Sequence, residues 1–292
     1  MRKLTALILI LLLCGCAATA VVSVPEPPVQ EELPPVEVLP SQEVISYTVG
    51  MSVWTDEALT EDSTQLATYT FVLPELRAVR EDGTVIVEPQ NDAEEQALSA
   101  IAAFNEKFGK WARAEEFHEI VSWAEEQYAS MTAEGIEWFA PYALELDCTV
   151  YQTDHIISVS GIYYSYTGGA HPNTWRLGWN YDLETGEFMD LEMLGEGTEL
   201  NEAVAAEIIR QAQIPLEDGL VRVEMYWEDY EEIVANWSSY AVTFGETGMD
   251  VVFSAYELAP YAAGPQEFHL PYDYLKPHLS EQGKLLLGLE EN

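Results

Sequence analysis

The sequence is poor in basic residues. Its 292 residues include 12 lysines and arginines against 51 aspartates and glutamates, which gives a formal net charge of −39. A chain this acidic repels nucleic acid and anionic membrane surfaces and attracts basic proteins or cations. The composition therefore argues against a nucleic-acid-binding protein and favours a basic protein as partner, with solubility alone as the other explanation of the charge.

The sequence also lacks the common catalytic and cofactor-binding motifs. It contains no GxSxG, Walker, GxGxxG, CxxC, HExxH or EF-hand pattern. Acidic pairs such as Asp182 with Glu184 arise by chance in so acidic a chain. His118 lies among glutamates, which indicates a solvated acidic face rather than a metal site. We predict no catalytic residue, no metal and no cofactor, and an enzyme is the less favoured class.

The first residues read as a targeting signal. Arg2 and Lys3 precede an apolar run, Leu4 to Leu13, that is too short to span a membrane comfortably. The sequence Leu13-Cys14-Gly15-Cys16 resembles a bacterial lipobox and places the lipid on Cys16, with Cys14 as a less favoured acceptor. It predicts a lipoprotein anchored at the extracytoplasmic face of a bacterial membrane, with an ordinary secretory peptide as the alternative.

Cysteine is scarce, and each of the three has a separate predicted fate. Cys14 leaves with the signal peptide and Cys16 carries the lipid, so Cys148 is the only thiol left and no intrachain disulfide can form. Cys148 lies in an apolar, strand-like run, which predicts a buried and unreactive side chain.

The remaining chain alternates between strand and helix patterns. β-branched and alternating segments predict strands at residues 43–56, 65–79, 84–87, 142–152, 156–166, 175–181, 240–244, 249–253 and 266–270. Apolar residues at helical spacing predict helices from residue 92 to a break or kink at Gly109, then at 111–131, 200–213, 223–234 and 272–278. Pro74 predicts an edge position or a bulge. The mixture predicts an α+β fold in which antiparallel sheets with hairpins pack against a few helices.

The most informative stretch is YYSYTGGAHPNTWRLGWNYDLETGEFMD, from Tyr163 to Asp190. It reads as an aromatic strand, a glycine-proline corner and a second aromatic strand. A histidine at such a corner can contact a ligand or can bond backbone groups that the turn leaves unpaired. Tyr256 to Gln266 reads as a proline-glycine loop that can carry recognition or cover a sheet edge. The candidate ligand-contact residues are Tyr166, Gly168, Gly169, His171, Asn173 and Tyr261.

Three segments carry a resemblance to known families. YTGGAHPN, NYDLETGE and the later AYELAPYAAGPQEFHLPYDYL resemble the DUF3298 domain, and residues 43–147 resemble the companion DUF4163 module. The resemblance implies an extracytoplasmic bacterial protein. Related ectodomains of RsiV-type anti-sigma factors bind lysozyme, and some cell-wall deacetylases carry a related domain beside their catalytic one. The sequence lacks the sigma-binding segment and the membrane span of the anti-sigma factors, so we do not expect signalling to a sigma factor.

These observations predict five segments. Residues 1–15 are a signal peptide, 16–41 a lipidated and Pro/Glu-rich tether, 42–147 a DUF4163-like region, 148–280 a DUF3298-like domain and 281–292 an acidic tail. The predicted function is an anchored binding lipoprotein that captures lysozyme or another basic protein acting on the cell wall. The alternatives are an enzyme or accessory factor of cell-envelope glycan, and an assembly lipoprotein without a dedicated ligand.

Overall fold

A computed structural model describes residues 45–217 and 219–290. The predicted signal peptide, Cys16 and the tether lie outside the described residues. Within the described part, no helix combines the length and apolar character that a membrane crossing requires.

A six-stranded sheet with its strands in chain order forms the first half of the fold. The strands are β1 (Ser46–Leu59), β2 (Gln65–Val79), β3 (Tyr142–Gln152), β4 (Ile156–Tyr166), β5 (Asn173–Asp182) and β6 (Glu187–Phe188). Helices α1 (Asp92–Ala112) and α2 (Glu115–Ala133) connect β2 to β3. Their apolar stripes, which include Phe104, Phe108 and Phe117, pack with the strands in one buried core.

The second half surrounds a small antiparallel sheet of three strands, β7 (Ala241–Phe244), β8 (Gly248–Phe253) and β9 (Gln266–Pro271). Its helices are α3 (Glu199–Ala212), α4 (Tyr230–Ala235), α5 (Tyr272–Leu275) and α6 (Glu281–Leu286), with 3₁₀ turns at 191–194, 222–225, 237–239, 261–263 and 276–278. The two sheets meet where Gly178 of β5 lies against Val242 of β7. A Cβ on Gly178 would come within 2.4 Å of the Val242 carbonyl oxygen, so a glycine is needed for this approach.

The predicted α+β class is confirmed, and the strand pairing differs from the prediction at one place. β2 and β3 are parallel, whereas the other pairs are antiparallel. The reason is the connection: α1 and α2 return the chain to the end of the sheet from which β2 began, which a tight turn cannot do. The sheet runs through the boundary predicted between residues 147 and 148, because β3 contains both.

Three local predictions were wrong. Gly109 does not break α1, which continues to Ala112; the chain turns instead at Ala114, in the left-handed region with φ 48°. The predicted strand at 84–87 is reduced to one bridge, between Val79 and Val85. The predicted helix at 223–234 is two shorter elements, because Trp227 and the residues around it form a turn against the chain near Leu258.

The described part of the predicted acidic tail begins with the short helix α6. Ser280 caps α6 by accepting the N–H of Gly283, and Leu286 and the following Leu287 are buried in the apolar core of the second half of the fold. Acidic residues flank the segment, but the run Leu285-Leu286-Leu287 supplies the apolar face that binds it to the domain.

Candidate functional site at the glycine-proline corner

The corner is the connection between β4 and β5. The strands pair in antiparallel register as far as Ser165 opposite Asn173, so the residues between them form the corner. Gly168 and Gly169 have φ values of 90° and 96°, which side chains with a Cβ rarely adopt. Gly168 also lies beneath Tyr142 and Gln127, where a Cβ would come within 3.1–3.2 Å of their side chains. The corner is therefore a tight turn packed against the end of α2.

His171 joins this corner to the distant loop between β8 and β9. Its ring stacks on Tyr261, with ring centroids 4.0 Å apart and an interplanar angle of 17°. The carbonyl oxygen of Pro172 lies 2.9 Å from Nδ1 of His171 and accepts a hydrogen bond of 3.3 Å from the Tyr261 hydroxyl. Because a carbonyl oxygen only accepts, Nδ1 of His171 carries the proton. His171 and Tyr261 thus hold one backbone oxygen between them.

The loop that carries Tyr261 has fixed internal structure. Tyr256 has φ 72°, an uncommon value for a tyrosine, and its ring lies 5.5 Å from that of Tyr261. The indole N–H of Trp227 donates to the Tyr256 carbonyl at 3.1 Å. At the other end, the buried Gln266 amide donates to the Ala263 carbonyl at 3.0 Å. Strained backbone of this kind is found at functional sites, and here its conformation is held from both ends.

A cleft of about 440 Å³ lies between this loop and the outer face of β4 and β5. Ile162, Thr174 and Arg176 line the strand side, and Tyr261 and Pro265 lie on the loop side. The backbone N–H of Arg176 donates to the Ser254 hydroxyl at 3.0 Å, and its guanidinium pairs with Glu267. The charge of Arg176 in the cleft is therefore neutralised by the carboxylate of Glu267. The cleft is otherwise aromatic and apolar, with this one ion pair at its side.

The structure brings together some of the predicted residues and separates others. His171 and Tyr261 are in contact, and the Tyr166 hydroxyl donates to the Gly169 carbonyl at 3.3 Å. Asn173 begins β5 as an exposed residue, directly after Pro172. Tyr256, Arg176 and Trp227 were not predicted as contact residues. The proline-glycine loop contains Tyr256 and the stretch after the corner contains Arg176, whereas nothing in the sequence linked Trp227 to the corner.

Burial raises the pKa of two side chains on the neighbouring strands β3 and β4. Cys148 is buried, as predicted, and burial, with a smaller effect of the Asp147 charge, raises its pKa to about 12, so it stays a thiol at neutral pH. Burial is also the main reason why the pKa of Tyr164, beside the cleft, is raised, and the carboxylate of Glu145 contributes. Among the described residues, no group of three or more potential metal ligands is close enough to hold an ion.

Comparisons with known proteins relate the chain to two family models and to solved structures. Residues 89–174 match the family model described as "Deacetylase PdaC", and residues 196–273 match DUF3298, a protein family of unknown function. A crystal structure of a DUF3298 family member from Bacteroides fragilis has a TM-score of 0.60 at 15% identity, over 86% of this chain and all of that one. A DUF3298 family protein from Pseudomonas aeruginosa has a TM-score of 0.45 at 20% identity, over 81% of this chain and 96% of that one. Curated protein sequences give no match.

The fold is thus that of the DUF3298 proteins, and the chain contains a DUF3298 domain preceded by a PdaC-like segment. The corner, whose sequence was expected to belong to DUF3298, lies in the PdaC match, and Tyr261 lies in the DUF3298 match. The stack of His171 on Tyr261 therefore links the two matched regions.

Proposed function

We propose that this protein is a lipid-anchored binding protein on the extracytoplasmic side of a bacterial membrane, and that it captures a basic protein. Lysozyme is the specific partner that we propose. The surface that makes the contact is formed by the corner and the Tyr256–Gln266 loop, and we call it the corner–loop surface.

The distribution of charge is the observation that carries the proposal. Of the ten lysines and arginines in the described residues, seven are in ion pairs with the chain's own carboxylates. Carboxylates outnumber basic residues about fourfold over the sequence, so most of the negative charge has no cation beside it. Such a field steers a basic protein towards the surface, more strongly at low salt than at high salt.

Aromatic rings of the corner–loop surface provide a contact site for the attracted protein. Tyr256 is 52% exposed, and it adjoins the stacked pair of His171 and Tyr261. Glu145 lies close enough to Tyr164 to affect its pKa, so a carboxylate accompanies the rings. Lysine and arginine side chains bind both to ring faces and to carboxylates, and tyrosine-rich surfaces are common in protein interfaces.

The match to Deacetylase PdaC favours a second candidate, an accessory or enzymatic role on cell-envelope glycan. Its test is an assay for deacetylation or cleavage of cell-wall glycan by the purified chain. Turnover that is lost in His171→Ala and kept in His118→Ala, a substitution of an exposed histidine on α2, would favour this candidate over the binding role.

The binding proposal is tested by titrating lysozyme against the chain from residue 16 with Cys16→Ser, which removes the predicted lipid. The titration is made at low salt and at about 0.15 M salt, with an unrelated protein of equal positive charge as control. Saturable binding of lysozyme alone at the higher salt supports the proposal. Equal binding of both proteins that disappears with salt would attribute the attraction to net charge and overturn lysozyme as the specific partner.

A further inference from the structure

The outer strand of the large sheet, β1, has a long edge that no described strand pairs. It is fourteen residues long, stands first in the strand order and pairs with β2 on one side only. Such an edge presents a row of backbone N–H and C=O groups that can pair with another chain.

The register shows which residues of β1 present those groups. Val49 lies opposite Leu76 of β2. Asn105 of α1 accepts the N–H of Leu76 and donates to its carbonyl oxygen, both at 2.8 Å. Both backbone groups of Leu76 therefore point away from β1, and Val49 with Leu76 is a pair without mutual hydrogen bonds. By alternation, the odd-numbered residues of β1 direct their backbone groups away from β2.

Two further contacts agree with this assignment. The carbonyl oxygen of Tyr47, an odd-numbered residue, accepts a hydrogen bond of 2.7 Å from the side chain of Gln152 rather than from β2. Pro74, which has no N–H, lies opposite Met51, where no ladder hydrogen bond to β1 is required. At the other end, the outward N–H of Glu57 already donates to the side-chain carboxylate of Asp56 at 2.9 Å. The free part of the edge is thus formed by Val49, Met51, Val53 and Thr55.

This part of the edge has none of the usual protections against pairing. Between Ser46 and Leu59 there is no proline, lysine or arginine, and the register shift comes only at Ala58 and Leu59. Val53 is 66% exposed, and Trp54 is 46% exposed.

Trp54 and Ser52 also line a cavity of about 260 Å³ with Phe108 and Asn105 of α1. An added strand would therefore place one of its alternate side chains beside this cavity.

We propose that β1 binds an extended segment of a basic partner protein by strand addition, with main-chain hydrogen bonds to Val49, Met51, Val53 and Thr55. Apolar side chains of the segment lie towards Trp54 and its cavity, and basic side chains lie near Asp56 and Glu57. A second copy of the chain fits this edge less well, because both copies carry a net charge of −39. This inference does not depend on the corner–loop surface, which lies on other strands.

The probe is a capped synthetic peptide of alternating valine and lysine, and the control peptide has glutamate in place of each lysine. Both are titrated against the chain from residue 16 with Cys16→Ser, and amide hydrogen exchange is followed with and without peptide. The expected result is binding of the lysine peptide alone, with new protection at residues 49–55. Equal binding of both peptides, or protection elsewhere only, would overturn the proposal.

Two variants locate the contact on the edge. Val53→Pro removes an outward N–H and leaves the ladder to β2 unaltered, and Val53→Lys places a positive charge on the edge. Each is expected to weaken binding of the lysine peptide about tenfold or more, roughly the loss of one or two main-chain hydrogen bonds. Trp138→Ala, at a 69% exposed residue on the segment between α2 and β3, is the matched control and should bind as the unaltered chain does.

The same variants test the alternative occupant. Sedimentation of the unliganded chain is expected to show a monomer at the concentrations used for the titration. A dimer that Val53→Pro dissociates would show that a second copy occupies the edge, and it would overturn the assignment to a basic partner. Unchanged peptide binding in both variants would remove β1 from the contact altogether.

Discussion

The ring of His171 lies on the ring of Tyr261, 90 residues later in the chain, with 4.0 Å between their centroids. The two residues come from the PdaC match and the DUF3298 match, respectively. Both also contact the carbonyl oxygen of Pro172. The corner between β4 and β5 and the loop between β8 and β9 are therefore one structural unit, and the ring of Tyr256 is exposed on its surface.

This contact predicts different effects for two substitutions of Tyr261. Tyr261→Phe keeps the stack and loses only the 3.3 Å hydrogen bond, so the free energy of unfolding should change little. Tyr261→Ala also removes the ring contact, which is worth about 0.5–1.5 kcal/mol beyond the buried area. Urea unfolding measures both variants, and hydrogen exchange at residues 168–173 should increase in the alanine variant alone. Equal effects of the two would contradict the importance of the stack.

Asn105 is predicted to be a structural residue of α1. Its amide satisfies both backbone groups of Leu76, beyond Val72, where the pairing of β2 with β3 ends. Asn105→Ala leaves these groups without their partners and should lower the free energy of unfolding by about 1–3 kcal/mol. Asn173→Ala, which removes an exposed amide at the start of β5, is the control and should have an effect below about 0.5 kcal/mol.

Two glycines are predicted to respond in opposite directions to alanine. Gly178→Ala would place a Cβ 2.4 Å from the Val242 carbonyl oxygen, so β7 must move, at a cost of about 1–3 kcal/mol. Gly109→Ala adds a methyl group inside α1 with no atom from outside its own stretch of helix within 4 Å, and it should stabilise the chain by about 0.5–1 kcal/mol. Thermal or urea unfolding of the pair provides the comparison. Stabilisation by both substitutions would show that the two sheets are not in close contact at Gly178.

The ion pair between Arg80 and Glu94 predicts a loss of stability in acid. Glu94 is buried at the start of α1 and accepts two hydrogen bonds from Arg80, at 2.6 and 2.8 Å, and one from the Gln90 N–H. The bonds from Arg80, with that from Gln90, hold the pKa of Glu94 below its usual value. The contribution to stability is then complete above the ordinary glutamate pKa of about 4.3 and is lost as the pH falls through the lower, folded value.

The measurement for this ion pair is the urea midpoint against pH, for the unaltered chain and for Glu94→Gln. The variant should be less stable near neutral pH, and the difference should shrink as the pH falls below about 4. Glu95→Gln, at the exposed neighbouring position in the first turn of α1, is the control. A difference that stays constant down to low pH would show that the charge of Glu94 has no part in the effect.

Local patterns predicted most of the elements, and contacts distant in sequence account for what they missed. The alternation of β-branched and aromatic residues gave β4 and β5, and Gly186, with φ 70°, lies in the predicted turn that follows. The continuation of α1 through Gly109 could not be predicted, because the core contact of Phe108 outweighs the low helix propensity of the glycine. The parallel pairing of β2 with β3 depends on where two helices pack, which no local pattern specifies.

The candidate site was predicted in the same partial way. His171 and Tyr261 were each singled out from their local sequence, one by a glycine-proline corner and the other by a proline-glycine loop. Their contact was not predictable, since it depends on how the β8–β9 loop lies over β4 and β5. The roles of Arg176 in the cleft and of Trp227, which donates to the Tyr256 carbonyl, could not be predicted for the same reason. Each residue is brought to the site by the packing of the second half of the fold on the first.

The most direct test of the proposed function is the affinity of lysozyme for corner–loop variants at about 0.15 M salt. Tyr256→Ala removes a ring of the surface that is 52% exposed without removing a residue of the stack, and Trp138→Ala removes a 69% exposed ring elsewhere. The proposal predicts about a tenfold weaker complex for Tyr256→Ala, equivalent to about 1.4 kcal/mol, and no change for Trp138→Ala. Equal affinities of both variants and the unaltered chain would contradict the corner–loop surface as the binding site.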